Sequence, residues 1–137
     1  MTDFRALTHD QLAEFIVENQ AELGCSGITV DDVMTPLRAG TAKLVAEEHC
    51  FAVVTLSTGY QGTFIPYLWL LFVSPSERDR GLGSRLMRRL LKEFSSDNHM
   101  SLTCFGARRR KFFGRHGFRI ESRDGEARRM TTNDYLQ

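Results

Sequence analysis

The sequence predicts a mixed α/β (α+β) domain in which helices flank a central sheet. Three features carry this prediction. The apolar run at 67–73 is typical of a buried strand, apolar residues recur with helical spacing over 82–94, and Asp124-Gly125 is a strong signal for a two-residue hairpin. Because a strand that is apolar on both sides needs cover on both sides, we expect helices on both faces of the sheet.

The composition narrows the class of protein. The 137 residues, 42% hydrophobic and 26% charged, are typical of one soluble globular domain, 1–137. The formal net charge of +1 gives no overall attraction to nucleic acid or membrane, and nothing resembles a signal peptide or a bilayer-spanning run. The cysteines and histidines are scattered, so we expect a cytoplasmic protein with reduced thiols and no metal site. They are Cys25, Cys50 and Cys104, and His9, His49, His99 and His116.

The N-terminal part is predicted to contain a short strand and two helices. The strand would cover 3–6. Thr8-His9-Asp10-Gln11 has the spacing of a capping box, and apolar residues then recur at helical spacing until Gly24, a suitable end. Thr29-Val30-Asp31-Asp32 predicts the cap of a short second helix. We expect Pro36 to end it, because the residue before a proline avoids the helical region.

The remainder of the chain alternates between strand and helix signals. Three strands are followed by a helix, a strand, a second and basic helix, and a hairpin. The predicted strands are 41–47, 51–56, 67–73, 100–105, 118–122 and 126–130, with a loop at 57–63, and the predicted helices are 82–94 and 107–115.

A Gly-Leu-Gly turn follows the predicted buried strand and opens the helix after it. A helix start carries unpaired N–H groups and a partial positive charge, and glycines let a ligand approach the backbone closely. The segment 78–84 therefore has the features of a phosphate-binding loop, although an ordinary tight turn is the alternative for the loop considered alone. A Rossmann loop would need a glycine at Leu86, and no Gly-Lys-Ser/Thr of a P-loop is present.

Two motifs resemble those of the GCN5-related N-acetyltransferase (GNAT) superfamily. The family's acetyl-coenzyme A signature, Gln/Arg-x-x-Gly-x-Gly/Ala, is matched by Arg78-Asp79-Arg80-Gly81-Leu82-Gly83. Its second landmark, an aromatic pair shortly before Gly-Phe, is matched by Phe112-Phe113-Gly114-Arg115-His116-Gly117-Phe118. The resemblance covers most of the chain and is strongest over 67–118. Each motif alone is weak, but both in this order favour cofactor binding over a plain turn.

The resemblance implies a mostly antiparallel central sheet with a V-shaped splay between its two central strands. It implies an acetyl-coenzyme A-dependent N-acetyltransferase that moves an acetyl group directly to a primary amine of a small-molecule or protein acceptor. The pantetheine arm would lie along the central strand, with the pyrophosphate on the glycine loop. For Arg78 and Arg80, plain solvated loop charges are an equal alternative. The implied cofactor-binding residues are Leu71, Phe72, Val73, Arg78, Asp79, Arg80, Gly81, Leu82, Gly83, Ser84 and Phe113.

Three positions depart from the family pattern near the reaction centre. Phe113 stands where the family commonly has the tyrosine that acts as the acid, and Gly106 stands where it often has asparagine. Tyr67 stands, by register to the glycine loop, where several lysine acetyltransferases carry a glutamate base. Tyr67 is therefore the candidate catalytic residue, as a proton relay, and an amphipathic core tyrosine is the favoured alternative. Strand alternation predicts one common face for Tyr67, Trp69, Leu71 and Val73.

Other interpretations follow from single features. Cys104 is a second catalytic candidate, as an acyl-accepting thiol, although a small buried hydrophobe is favoured. We expect His116 to be exposed and not catalytic. The missing acid at Phe113 leaves open a non-catalytic module that binds acyl-coenzyme A and acts through protein contacts. The basic segment 108–111 beside aromatic residues suggests nucleic-acid binding as a further hypothesis. A charged helix face near the coenzyme's 3′-phosphate or in solvent is the favoured interpretation.

The acceptor is not encoded in a recognisable motif. In the superfamily it is set by the region before the glycine loop, here 24–40 and 57–66. Asp31 and Asp32 would attract a cationic amine, but helix capping explains them equally well. The short chain also suggests a homodimer, in which a second copy would complete the acceptor cleft.

Overall fold

The computed structural model describes residues 3–19, 29–58, 64–94, 100–125 and 127–132. The predicted helix end at Gly24, together with Cys25 and His99, lies outside these residues. Short 3₁₀ turns occur at Phe4–Ala6 and Pro75–Glu77. The helices are α1 (His9–Glu18), α2 (Val30–Ala39), α3 (Leu82–Phe94) and α4 (Ala107–Gly114). The strands are β1 (Ala42–Ala46), β2 (Cys50–Thr58), β3 (Phe64–Val73), β4 (Ser101–Phe105), β5 (Arg119–Asp124) and β6 (Ala127–Thr131).

The strands form one six-stranded sheet in the order β1-β2-β3-β4-β6-β5. Neighbouring strands are antiparallel except for the central pair β3 and β4, which is parallel. This topology confirms the predicted mostly antiparallel α+β fold. The β3–β4 register joins Tyr67 to Ser101 and Leu68 to Leu102, while β3 continues to Val73. The V-shaped splay beyond these pairs stays a prediction.

Helices cover both faces of the sheet, as predicted. On one face, which we call the α3/α4 face, Leu86, Met87 and Leu90 of α3 are completely buried against the sheet. On the other, the α1/α2 face, Leu12 and Val33 are completely buried in a second cluster. Among the helices of the described ranges, none is long and apolar enough to cross a membrane.

The strand predicted at 3–6 is wrong, because these residues form a 3₁₀ turn. The Asp3 carboxylate accepts a hydrogen bond from the backbone N–H of Arg5 at 2.9 Å and caps the turn. The Phe4 ring is buried in the α1/α2 cluster, with its centroid 5.0 Å from that of Phe51. The aromatic anchor and a hydrogen bond from the Phe4 N–H to the Glu48 carbonyl at 3.1 Å therefore fix this segment, without strand pairing.

The predicted helix end at Pro36 is also wrong, because α2 continues through it to Ala39. Met34 and Leu37 are both buried against the sheet, so packing on either side of the proline holds the helical backbone. Gly40 ends the helix with φ +80°. The Gly40 N–H donates to Leu37 and the Thr41 N–H to Pro36, the hydrogen-bond pattern of a Schellman motif.

Candidate functional site

A cleft of about 810 Å³ lies where the end of β3 meets the starts of α3 and α4. All of the predicted cofactor residues except Arg80 line it. They are Leu71, Phe72, Val73, Arg78, Asp79, Gly81, Leu82, Gly83, Ser84 and Phe113. Sequence reasoning did not name the rest of the lining as cofactor-binding residues, although it offered the 3′-phosphate as one alternative for the segment 108–111 and used Phe112 as a family landmark. The rest of the lining is Glu77, Gly106, Ala107, Arg108, Arg109, Phe112 and Arg115.

The N-terminus of α3 faces this cleft. The Gly81 carbonyl accepts the first helical hydrogen bond, from the Arg85 N–H at 3.0 Å. The amides of Leu82, Gly83 and Ser84 therefore precede the intrahelical ladder, as the first amides of a helix do. None of the described residues in the first turn is acidic. The positive end of the helix dipole is thus available to an anion in the cleft.

The two motif glycines serve different purposes. Gly81 has φ +78°, a left-handed conformation that favours glycine, and a Cβ added there would have nothing within 4 Å. Gly83 has no such backbone requirement. A Cβ at Gly83 would lie 3.5 Å from atoms of the Phe112 ring and from Cγ2 of Val73, which is ordinary contact. Position 83 therefore accommodates alanine, whereas a longer side chain has to enter the cleft.

The arginines of the loop have separate roles. The Nε of Arg78 donates to the Val73 carbonyl at 3.0 Å, and its guanidinium lies 5.4 Å from the centroid of the Phe72 ring. Arg78 thus fastens the loop to the end of β3. Arg80 forms an exposed pair with Glu77 at 3.1 Å. Arg80 is the predicted cofactor residue that the structure does not bring to the cleft.

The opposite wall of the cleft comes from α4 and the turn after it. Phe113 is 8% exposed, and its ring centroid is 5.7 Å from that of Phe118. The Phe118 N–H donates to Phe113 and the Gly117 N–H to Gly114, and Gly117 has φ +90°. This is a Schellman motif with its usual apolar contact across the turn. The Gly-Phe landmark therefore has a physical basis in how α4 ends.

The structure overturns the prediction that His116 is exposed. Its ring is partly buried, 5.1 Å from the centroid of Phe112, and its Nε2 lies 3.2 Å from the Ser84 hydroxyl oxygen. The Schellman turn directs this side chain toward α3 instead of solvent. Burial lowers the pKa of His116, and the positive charges of Arg88 and Arg115 lower it further.

A β-bulge in β3 overturns the predicted common face of its residues. Val53 pairs with Leu70 and Val54 pairs with Leu68, so the register skips Trp69. Trp69 packs against the α1/α2 cluster. Past the bulge, Leu71 and Val73 instead pack against the α3/α4 cluster and line the cleft.

Tyr67 lies on the α1/α2 side of the sheet. Its pairing partner is Thr55, which also pairs with Ala42 of the α1/α2 cluster, and cross-strand partners point to the same face. The Tyr67 hydroxyl donates to Oγ1 of Thr103 at 2.6 Å, and the Arg129 guanidinium lies 5.5 Å from the ring centroid. Tyr67 is not among the residues that line the cleft. The structure thus joins Tyr67 to β4 and β6.

Both cysteines of the described chain are buried and poor nucleophiles. Burial raises the pKa of Cys104, whose Sγ lies 3.5 Å from Sδ of Met130. Burial also raises the pKa of Cys50 to about 11, and the neighbouring Glu47 carboxylate adds to the effect. Because the thiolate is the nucleophile, these surroundings favour the interpretation of Cys104 as a small buried hydrophobe.

The structure thus combines a mostly antiparallel open sheet with a glycine loop at the N-terminus of a helix packed on it, an α+β domain with an anion-binding helix start in its cleft. Residues 13–120 match the family described as "Acetyltransferase (GNAT) domain". The chain therefore belongs to the GNAT acetyltransferase family. No curated protein is significantly similar to it in sequence.

Solved structures share the fold at low sequence identity. Arabidopsis thaliana Naa50, in complex with the bisubstrate analogue CoA-Ac-MVNAL, is 17% identical with TM-score 0.67, over 90% of this chain and 93% of that one. Escherichia coli ElaA is 17% identical with TM-score 0.64, over 96% of each chain. PaiA N-acetyltransferase from Thermoplasma acidophilum, in complex with coenzyme A, is 12% identical with TM-score 0.60, over 96% of this chain and 83% of that one.

Proposed function

We propose that this protein is an acetyl-coenzyme A-dependent N-acetyltransferase that moves an acetyl group directly to a primary amine of a small molecule or protein. The observation that carries the proposal is the N-terminus of α3, which opens behind a glycine loop into the cleft of a GNAT-family chain. The bisubstrate analogue CoA-Ac-MVNAL in the Naa50 structure and the coenzyme A in the PaiA structure support the same cofactor here.

The residues of the cleft fit coenzyme A. The amides of Leu82, Gly83 and Ser84 would hold the pyrophosphate, and hydrogen bonds to a charged group contribute about 1.5–3 kcal/mol each. The apolar surfaces of Val73 and Phe112 would border the pantetheine arm. The cofactor supplies a thioester, whose acyl group is transferred to the amine.

The chain places a tyrosine hydroxyl on the other side of the sheet, where a relay would take up the amine proton while releasing its own proton to solvent. An amine must lose its proton during acyl transfer, and Tyr67 carries its hydroxyl on the α1/α2 side, paired with Thr103. We propose Tyr67 as a proton relay for an acceptor that arrives from that side. Phe113 has no proton to give to the departing thiolate, which lowers the rate without abolishing transfer. The raised pKa of Cys104 favours direct transfer over an acyl-enzyme.

The test of this function is release of free thiol from acetyl-coenzyme A with a panel of amines. The panel contains free amino acids, polyamines and short peptides with either a free N-terminus or a lysine. We expect turnover with one of these classes and a mass increase of one acetyl group on the acceptor. Tight coenzyme binding without turnover on any amine would instead support the non-catalytic binding module, which Phe113 motivates.

Replacing Tyr67 with phenylalanine tests the proposed relay. We expect the kcat of Tyr67→Phe to fall by about 100-fold, at the low end of the usual contribution of a general acid or base. Coenzyme A affinity should stay unchanged, because Tyr67 lies outside the cleft lining. The matched control Thr103→Val keeps the hydroxyl and removes its partner, so its loss should be smaller. An unchanged kcat in Tyr67→Phe would remove this residue from the mechanism.

The basic wall of the cleft predicts a preference for the 3′-phosphate of coenzyme A. Arg108 and Arg109 line this wall, so the double change to glutamine should weaken coenzyme A binding by about tenfold. Binding of dephospho-coenzyme A should be unaffected, as should either ligand in the control Arg123→Gln on exposed β5. Calorimetric titration measures both ligands. Equal losses for the two ligands would show that these arginines do not read the 3′-phosphate.

A further inference from the structure

His116 contacts a side chain of the cleft from behind. Its Nε2 lies 3.2 Å from the hydroxyl oxygen of Ser84, and Ser84 lines the cleft in the first turn of α3. His116 itself is not among the residues that line the cleft. The contact joins the turn after α4 to the helix start that the proposed function assigns to the pyrophosphate.

The Ser84 hydroxyl has a single proton, so its role in the cleft depends on His116. A hydroxyl donates one hydrogen bond and accepts through its lone pairs. If Nε2 is unprotonated, the Ser84 hydroxyl donates its hydrogen bond to the imidazole. The hydroxyl then presents only lone pairs to the cleft, and these repel a phosphate. If Nε2 carries a proton, the imidazole donates to Ser84 and the hydroxyl proton remains available. A phosphate oxygen therefore selects the form with a proton on Nε2.

We propose that His116 is a positioning residue for the anionic part of the cofactor, which donates from Nε2 to Ser84 and so makes that hydroxyl a phosphate donor. The neutral tautomer with its proton on Nε2 and the imidazolium both make this hydrogen bond, and the imidazolium adds a positive charge, so protonation of His116 increases the affinity for coenzyme A. This inference rests on the proposed function and adds to it a residue outside the cleft. The Schellman turn at Gly117 holds the imidazole in place for this role.

The surroundings of His116 give the sign of the pH dependence. Arg88 of α3 and Arg115 of the turn bring positive charge to the ring, and Phe112 of α4 packs beside it. Burial and these charges keep the pKa of His116 low in the free protein. A phosphate beyond Ser84 brings negative charge and favours the imidazolium. Binding should therefore take up a proton, and affinity should rise as the pH falls from the raised pKa of the complex to the low pKa of the free protein.

Two amide substitutions separate the hydrogen bond from the charge. The amide nitrogen of glutamine reaches about as far from the backbone as Nε2, whereas that of asparagine reaches only as far as Nδ1. We expect His116→Gln to retain most of the affinity and to lose the rise at low pH. We expect His116→Asn to bind coenzyme A about tenfold more weakly at low pH, the effect of one hydrogen bond to a charged group. Ser84→Ala should lose about as much, and adding His116→Asn to it should cost nothing further.

The experiment is calorimetric titration of coenzyme A between about pH 5 and pH 8, with NMR titration of the His116 ring. The phosphates of the ligand also titrate, but wild type and variants share that effect, so their difference reports His116. Coenzyme A should raise the pKa of His116 in the wild type and raise it less in Ser84→Ala, where the phosphate charge remains but the hydroxyl link is lost. Pantetheine, which lacks the pyrophosphate, should leave it unchanged.

The outcomes distinguish this inference from the function on which it rests. If the wild type binds no coenzyme A, the proposed function fails, and this inference fails with it. If the wild type binds but His116→Asn binds equally well, or if the pKa of His116 does not move, only the role of His116 is overturned. A loss in His116→Asn that adds fully to the loss in Ser84→Ala would also overturn it, because the two residues would then act independently.

Discussion

Replacing Gly83 with leucine is expected to weaken coenzyme A binding by about 100-fold and to leave the protein folded. The first carbon of the new side chain makes ordinary contacts, 3.5 Å from atoms of Phe112 and Val73. The further carbons have to occupy the cleft that the pantetheine arm and pyrophosphate would share. About 100-fold corresponds to about 2.8 kcal/mol, the loss of one or two hydrogen bonds to a charged group. Calorimetric titration measures the affinity, and thermal unfolding checks the fold.

Two alanine variants act as controls for this prediction. Gly83→Ala adds only the tolerated carbon and should bind within a few-fold of the wild type. In Gly81→Ala the added carbon has open space around it, but the alanine has to adopt φ +78°. This variant should therefore lower the free energy of unfolding more than it lowers the affinity for coenzyme A. Wild-type affinity in Gly83→Leu would show that the cofactor does not lie against the start of α3.

Replacing Leu90 with alanine is expected to lower the free energy of unfolding by about 2–5 kcal/mol. Leu90 is completely buried in the cluster that α3 shares with the sheet, and the change leaves a cavity there. Denaturant unfolding measures the loss. The control Val17→Ala removes an apolar side chain that is 61% exposed on α1 and should change stability by less than about 0.5 kcal/mol.

Coenzyme A should partly restore the free energy of unfolding that Leu90→Ala loses. A ligand present at 100 times its Kd stabilises the folded state by about 2.7 kcal/mol. Coenzyme A should give the same increment in the variant and the wild type, because Leu90 packs beneath the cleft and does not line it. An unchanged unfolding free energy in Leu90→Ala would contradict the packing. If coenzyme A stabilised the wild type but not Leu90→Ala, the cavity would also distort the glycine loop.

The fold could be predicted where local signals and packing agree. The apolar stripe over 82–94 predicted α3 with both ends correct. Asp124-Gly125 predicted the β5–β6 hairpin, although Asp124 itself belongs to β5 and pairs with Ala127. The prediction failed at Pro36, because Met34 and Leu37 keep the helix packed through it. It failed again at the first turn, where the aromatic ring of Phe4 decides the structure through contacts distant in sequence.

The candidate site could be predicted as far as it is built from consecutive residues. The glycine loop and the aromatic pair both line the cleft, since each is a local motif next to a helix end. The contact between His116 and Ser84 joins segments that are distant in sequence, and no local pattern in either segment predicts it. Thr103 was likewise missed, although its place one residue before Cys104 puts it on the opposite face of β4.

The bulge at Trp69 reverses which residues of β3 face each side of the sheet: odd-numbered residues face α1/α2 before it and α3/α4 after it. One extra residue lets a single strand turn Leu71 and Val73 toward the cleft while Tyr67 faces the other side. Trp69 and Leu70 both pack on the α1/α2 face, and the ladder pairs on either side of Trp69 keep their alternation. Removing residue 69 would therefore leave Tyr67 and Leu71 on opposite faces, whereas a strand that kept residue 69 without the bulge would bring them to the same face. The bulge, more than the indole itself, keeps the proposed donor and acceptor sides of the sheet apart.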